Sequence, residues 1–107
     1  MTWRINYFND KVMEQVLAWP KGVLANYLHI SELMQEFGPN LGLPHTKAMS
    51  DGLFEIRAKG QEGIGRAFFC TVVRNEVIIL HSIIKKTQKT PDKDLKLARK
   101  RLKELKR

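Results

Sequence analysis

The sequence predicts an α+β domain. It would have one small, largely antiparallel sheet, two N-terminal helices on one face of that sheet and a basic helix at the C-terminus. Three observations point to it. Residues 2–8 alternate in polarity as a strand does. Residues 53–84 hold three runs split by turns, the second and third rich in Val, Ile, Phe and Thr. From Thr90 to Leu105 the chain carries the start signals and apolar spacing of a helix. The order is β-α-α-β-β-β-α, a single domain over residues 1–107.

In residues 2–8, Trp3, Ile5 and Tyr7 share one side and Thr2, Arg4 and Asn6 the other. Asn9 or Asp10 caps a first helix, in which Val12, Val16 and Leu17 recur near helical spacing. Trp19-Pro20 interrupts it, because the residue before proline avoids the helical region. A second helix runs to about Phe37, with Leu24, Tyr27, Leu28, Met34 and Phe37 as its apolar face, and Gly38-Pro39 stops it. The two helices are expected as an antiparallel pair over one sheet face. Gly38, Pro39, Gly42, Pro44 and Gly52 mark residues 38–52 as a loop.

The strands Leu53–Ala58, Arg66–Val73 and Val77–Ile84 follow. A polar, glycine-rich turn at residues 59–63 joins the first two, and Arg74-Asn75 joins the last two as a hairpin. Thr90 reads as the N-cap of the last helix and Pro91 as its first position, with Asp92 and Asp94 complementing the positive helix end. Leu95, Ala98, Leu102 and Leu105 form one narrow apolar stripe, expected to pack on the protein's own sheet or helices.

The charge is segregated. Residues 1–84 carry eight basic and eight acidic side chains, whereas residues 85–107 carry eleven basic against three acidic, which accounts for the whole formal charge of +8. Such a tail calls for a polyanionic partner, nucleic acid or ribosome first. Cys70 is the lone cysteine and forms no intrachain disulfide, which fits a reducing cytoplasm. No apolar run approaches a membrane span and the N-terminus lacks a signal-peptide core, so a soluble, cytosolic protein without a membrane role is expected. His29, His45, His81 and Cys70 lack metal-ligand spacing. The single Gly63-Ile64-Gly65 carries no phosphate-loop pattern, and no nucleophile motif occurs. Neither a metal nor another cofactor is expected.

Strand parity groups the candidates. Leu53, Glu55 and Arg57 share one face, and Arg66 and Phe68 share a face of the next strand. His81 precedes Lys85 and Lys86, where the third strand runs out. If the helix pair covers one face of the sheet, the other is free to hold Glu55, Arg57, Arg66 and His81, with the lysines at its rim. Guanidinium groups beside an aromatic ring suit single-stranded RNA, through phosphate pairing and base stacking. Arg66 is expected to be exposed, because Gly65 and Ala67 give it little cover. Phe68 is the candidate stacking ring, and Lys89, Lys93, Lys96, Arg99 and Lys100 are candidate RNA contacts. Against this, Glu55 and Arg57 also read as a structural ion pair, and His81 as a packing residue.

Three runs carry a resemblance: Leu53-Phe54-Glu55-Ile56-Arg57, Gly65-Arg66-Ala67-Phe68-Phe69, and His81-Ser82-Ile83-Ile84-Lys85-Lys86-Thr87-Gln88-Lys89-Thr90-Pro91. In these the chain resembles the HigB-type, phage-derived branch of the RelE/ParE toxin superfamily, over essentially its whole length. The resemblance implies the RelE-like fold and the toxin of a toxin–antitoxin pair that cuts mRNA in the ribosomal A site. It assigns Arg66 to an active-site arginine, Lys86 or its neighbour Lys85 to the basic residue after the last strand, and Arg57 to a family-pattern position. It implies a helix-turn-helix, HigA-like antitoxin as partner, with operator DNA reached only through that antitoxin. The best-known nucleases of the superfamily carry lysines where this chain has Leu53 and Glu55, and some a tyrosine where it has Asp92. Glu55 and His81 are candidate proton carriers.

Three functions follow as expectations: a metal-independent, ribosome-dependent endoribonuclease; a ParE-like toxin that poisons DNA gyrase without chemistry; and a plain basic RNA-binding module.

Overall fold

The computed structural model describes residues 2–85 and 89–106. Its elements are β1 (Arg4–Tyr7), α1 (Asp10–Leu17), α2 (Lys21–Phe37), β2 (Thr46–Ala48), β3 (Phe54–Gly60), β4 (Gly63–Val72), β5 (Glu76–Lys85) and α3 (Asp92–Leu105). The strands form one sheet in the order β1-β5-β4-β3-β2. β1 runs parallel to β5 and the other pairs are antiparallel.

The expected order holds, with one strand added. β2 lies inside the segment read as a loop; at three residues it is too short to show an alternation, and it exists by pairing with the edge of β3. The hairpin at Arg74-Asn75 forms as expected: Val73, Arg74 and Asn75 link Val72 to its partner Glu76, with Arg74 and Asn75 both at positive φ (66° and 57°).

Asn9 caps α1, its side-chain oxygen accepting the Val12 N–H at 2.9 Å. α2 starts after Pro20 without a side-chain cap from its own N-cap residue. Glu62, in the β3–β4 turn, supplies one across the fold by accepting the Gly22 N–H at 3.1 Å. Gly60 allows the approach: a Cβ there would lie 2.6 Å from the Val23 backbone nitrogen. That backbone hydrogen bond holds the Glu62 carboxyl below its usual range. A depressed folded pKa stabilises above the unfolded value, and this is lost as pH falls through the folded one. Glu62→Ala is therefore expected to lower the melting temperature at pH 7. In thermal melts the gap to the wild type should close in acid.

Two cores sandwich the sheet. On one face Val12, Val16, Val23, Tyr27, Ile30 and Met34 pack on Ile56, Ala67, Phe69, Val77 and Ile79. Burial and the neighbouring Tyr7 push the Tyr27 hydroxyl far above its usual range, and the two hydroxyls lie 2.8 Å apart. On the other face Ala98 and Leu102, with Leu95 beside them, pack on Leu53, Phe68, Cys70 and Leu80. The α3 stripe thus docks on the sheet as expected, but it ends at Leu102, because Leu105 is 40 % exposed. The second face is therefore not the open surface that covering by the helix pair alone would leave.

A bulge in β5 decides what α3 meets. Phe68 pairs with His81 and Phe69 with Ile79, so Leu80 is the extra residue. Leu80 and His81 consequently both serve the α3 face.

Candidate functional site

Three cross-strand rows line the sheet face at the N-terminal end of α3. The first is Glu55, Phe68 and His81; the second Arg57, Arg66 and Ile83; the third Lys59, Ile64 and Lys85. The start of α3 is tied to the first row at two points. His81 Nε2 lies 2.8 Å from Asp94 Oδ1, and the Thr90 hydroxyl donates to Glu55 Oε2 at 3.2 Å. Thr90 is therefore not the helix cap. Pro91 is the N-cap residue, and its apolar ring offers no side-chain bond, while the threonine hydroxyl goes to Glu55.

The face brings together Glu55, Arg57, Arg66, His81 and Lys85, as parity suggested, but with different exposure. Arg66 is buried, its side chain 3 % exposed, and its Nη1 donates to Glu55 Oε1 at 3.0 Å. Gly65 and Ala67 leave it no opening because strand neighbours point to the opposite face. Gly65 in fact abuts Trp19 and Val23. The neighbours that count for Arg66 are Arg57 and Ile83, across the strands. Glu55, 2 % exposed, also has Arg57 Nε at 3.6 Å from the same oxygen, and the Arg57 side chain is 17 % exposed. The expected ion pair between Glu55 and Arg57 is thus present, with Arg66 as the closer partner. Lys85 and Lys59 are exposed. Lys86 lies outside the described residues.

Phe68 is fully buried, its ring stacked on His81 at 6.2 Å, so it offers no platform for a base. The expectation that it stacks on RNA fails because α3 covers it. His81 stands between that ring and Asp94, and both polar side chains are 12 % exposed. Cys70 is buried too, which pushes its thiol up and removes it as a nucleophile. Among the described residues no group of three or more His, Cys, Asp and Glu is placed to hold a metal ion. No helix among them is long and apolar enough to cross a membrane.

On α3, Lys93, Lys96, Lys100 and Lys103 are exposed and recur at 3, 4 and 3 residues, on the side away from Ala98 and Leu102. Lys89 is exposed just before the helix. Arg99 is not part of this stripe. It donates to the Met49 carbonyl at 2.6 Å and the Ser50 carbonyl at 3.2 Å, pinning α3 to the β2–β3 loop. Arg101 does the same on the other flank, donating to the bulged Leu80 carbonyl at 2.7 Å with its guanidinium 5.0 Å from the Phe8 ring centre. Two residues were missed from the sequence: Lys59, which has the parity of Arg57, and Lys103, which continues the lysine spacing.

The sequence profile of the family described as Phage derived protein Gp49-like (DUF891) matches residues 14–103. Among solved structures, the chain is similar to a chain of the archaeal RelE–RelB complex from Pyrococcus horikoshii OT3. The TM-score is 0.56 at 17 % identity, covering 83 % of this chain and 100 % of that one. The fold is thus RelE-like. No curated protein matches the chain at a significant level.

Proposed function

We propose that this chain, which belongs to the phage-derived Gp49-like family, is the toxin of a type II toxin–antitoxin pair and arrests translation by cutting mRNA on the ribosome. The observation that carries this reading is the cation-lined end of the sheet face, where Arg57, Lys59 and Lys85 stand beside an ordered His81–Asp94 pair. The RelE-like fold supports it.

RNA brings its own nucleophile, so no metal is required. The 2′-hydroxyl attacks the adjacent phosphorus, the bond to the 5′-oxygen breaks, and the products are a 2′,3′-cyclic phosphate and a 5′-hydroxyl. The protein must align these atoms, offset the charge on the phosphorane and move two protons, one off the 2′-oxygen and one onto the 5′-oxygen. Arg57 and Lys85 take the charge role, with Lys86 as the neighbouring candidate. Glu55 is a poor proton carrier, because Arg66 and Arg57 occupy one of its oxygens and Thr90 the other. His81, oriented through Nε2 by Asp94, is the better one.

The α3 lysines supply affinity. From Lys93 to Lys103 they span about 15 Å of helix axis, a length for several phosphates. Replacing Lys93, Lys96, Lys100 and Lys103 together by Gln is expected to weaken ribosome binding. It should also lower the salt slope by about three units, at roughly 0.7–0.9 per lost phosphate contact. Binding isotherms between low and moderate salt check this, and an unchanged slope would make the stripe solvated surface.

A toxin of this kind must be held inactive in its host. The partner is an antitoxin with a helix-turn-helix, HigA-like DNA-binding domain and an acidic surface or segment, through which alone the pair meets operator DNA. It neutralises by covering the Arg57/Lys85 face or by bulk that keeps the toxin out of the cytoplasmic ribosome's A site. Induction of this chain should stop growth, and co-expression with the adjacent reading frame should restore it, with the two products copurifying. Growth unaffected by induction, or an adjacent product that neither binds nor rescues, would overturn the toxin reading.

A further inference from the structure

Glu55 sits at the centre of a network rather than at a surface. Arg66 donates to its Oε1 at 3.0 Å, Arg57 Nε approaches the same oxygen at 3.6 Å, and Thr90 donates to Oε2 at 3.2 Å. Exposure grades outward through it, from 2 % at Glu55 and 3 % at Arg66 to 17 % at Arg57. A phosphate arriving on this face meets Arg57, with the other two beneath it.

A buried ion pair is a weak source of stability, since well-packed apolar side chains of similar volume do as well or better. It does offer direction. A long arginine side chain near a surface samples many rotamers, and a fixed carboxylate beneath it narrows them. Arg66 and Thr90 fix that carboxylate, one from the sheet and one from the residue before the α3 cap. Building on the RNA cleavage proposed above, we infer that Glu55 and Arg66 are positioning residues. Arg66 anchors the Glu55 carboxylate, and Glu55 holds the Arg57 guanidinium toward the scissile phosphate. Thr90 ties the start of α3 to the same carboxylate, so the binding helix and the phosphate-facing cation keep a fixed relation.

The test is a mutant cycle: Arg57→Ala, the paired Glu55→Leu and Arg66→Met, and all three together. Each is assayed for single-turnover cleavage of mRNA in the A site of programmed ribosomes, with urea melts alongside. The paired variant is expected to fold as stably as the wild type and bind ribosomes equally well. It should cut about 10²-fold more slowly, the cost of a reacting contact misplaced by about 1 Å. The triple variant should be no slower than Arg57→Ala alone, since groups acting as a unit are not additive. Separately, the Arg57 guanidinium should be held in one arrangement in the wild type and averaged over rotamers in the paired variant, read from side-chain NMR order parameters. Full cleavage by the paired variant, or a triple loss equal to the product of the two, would overturn the inference. If the paired variant does not fold, Glu55→Gln takes its place in the same cycle. Should the wild type cut no RNA, the function proposed above fails, while the Arg57 side-chain order still decides whether Glu55 holds it.

Discussion

Arg66→Ala is expected to lower the stability of the folded chain by about 3 kcal/mol, the low end of what breaking a buried ion pair costs. The low end applies because Arg57, 3.6 Å from Glu55, still faces the stranded carboxylate. Against a typical total of about 5–15 kcal/mol, such a loss leaves a marginal protein. The melting temperature should fall by well over 10 °C, at about 4–8 °C per kcal/mol for a chain of this size. The growth arrest proposed above is then expected to be lost through instability as well as through the misplaced Arg57. Denaturant melts of Arg66→Ala and of the Glu55→Leu, Arg66→Met pair separate the two explanations. The single variant should be weak and the pair restored. An Arg66→Ala protein as stable as the wild type would show that Glu55 does not depend on its buried partner.

Arg57→Ala should do the reverse. The Arg57 side chain is partly exposed and stands second on Glu55, so its removal is expected to cost the fold about 1 kcal/mol or less. Cleavage should nonetheless fall by about 10²–10³, the usual result of deleting one preorganised group that stabilises charge in the transition state. Ribosome affinity should hold, since the α3 lysines are untouched. Single-turnover rates and binding isotherms on the same preparation read both quantities. A rate within a factor of a few of the wild type would remove Arg57 from the phosphate.

The strands, helices and most caps were legible because they rest on local signals. Asn9 caps α1 as its position suggested, Pro20 divides the helices, and Arg74-Asn75 turns the hairpin. Part of the site face was legible too, since a period of two puts Glu55 with Arg57 and Arg66 with Phe68, whereas the pairing of Arg57 with Arg66 is what brings the two groups together. What was not legible depends on partners far away in sequence. The cover over Arg66 and Phe68 comes from cross-strand neighbours and from α3, not from Gly65 or Ala67. Thr90 looks like a cap until Glu55, 35 residues earlier, takes its hydroxyl. His81 reaches Asp94 only because Leu80 is bulged, and no residue type in that strand announces a bulge. Arg99 has the composition of an RNA contact, but its bonds run to the Met49 and Ser50 carbonyls.

The most direct test of the account is made on translating ribosomes. Purified wild-type protein is added to ribosomes holding a defined mRNA codon in the A site, and new RNA ends are mapped by primer extension. Cuts should fall within that codon, leave a 2′,3′-cyclic phosphate and a 5′-hydroxyl, and disappear with Arg57→Ala while binding persists. Intact mRNA under bound wild-type protein, or growth arrest accompanied by blocked DNA gyrase and uncut message, would contradict it.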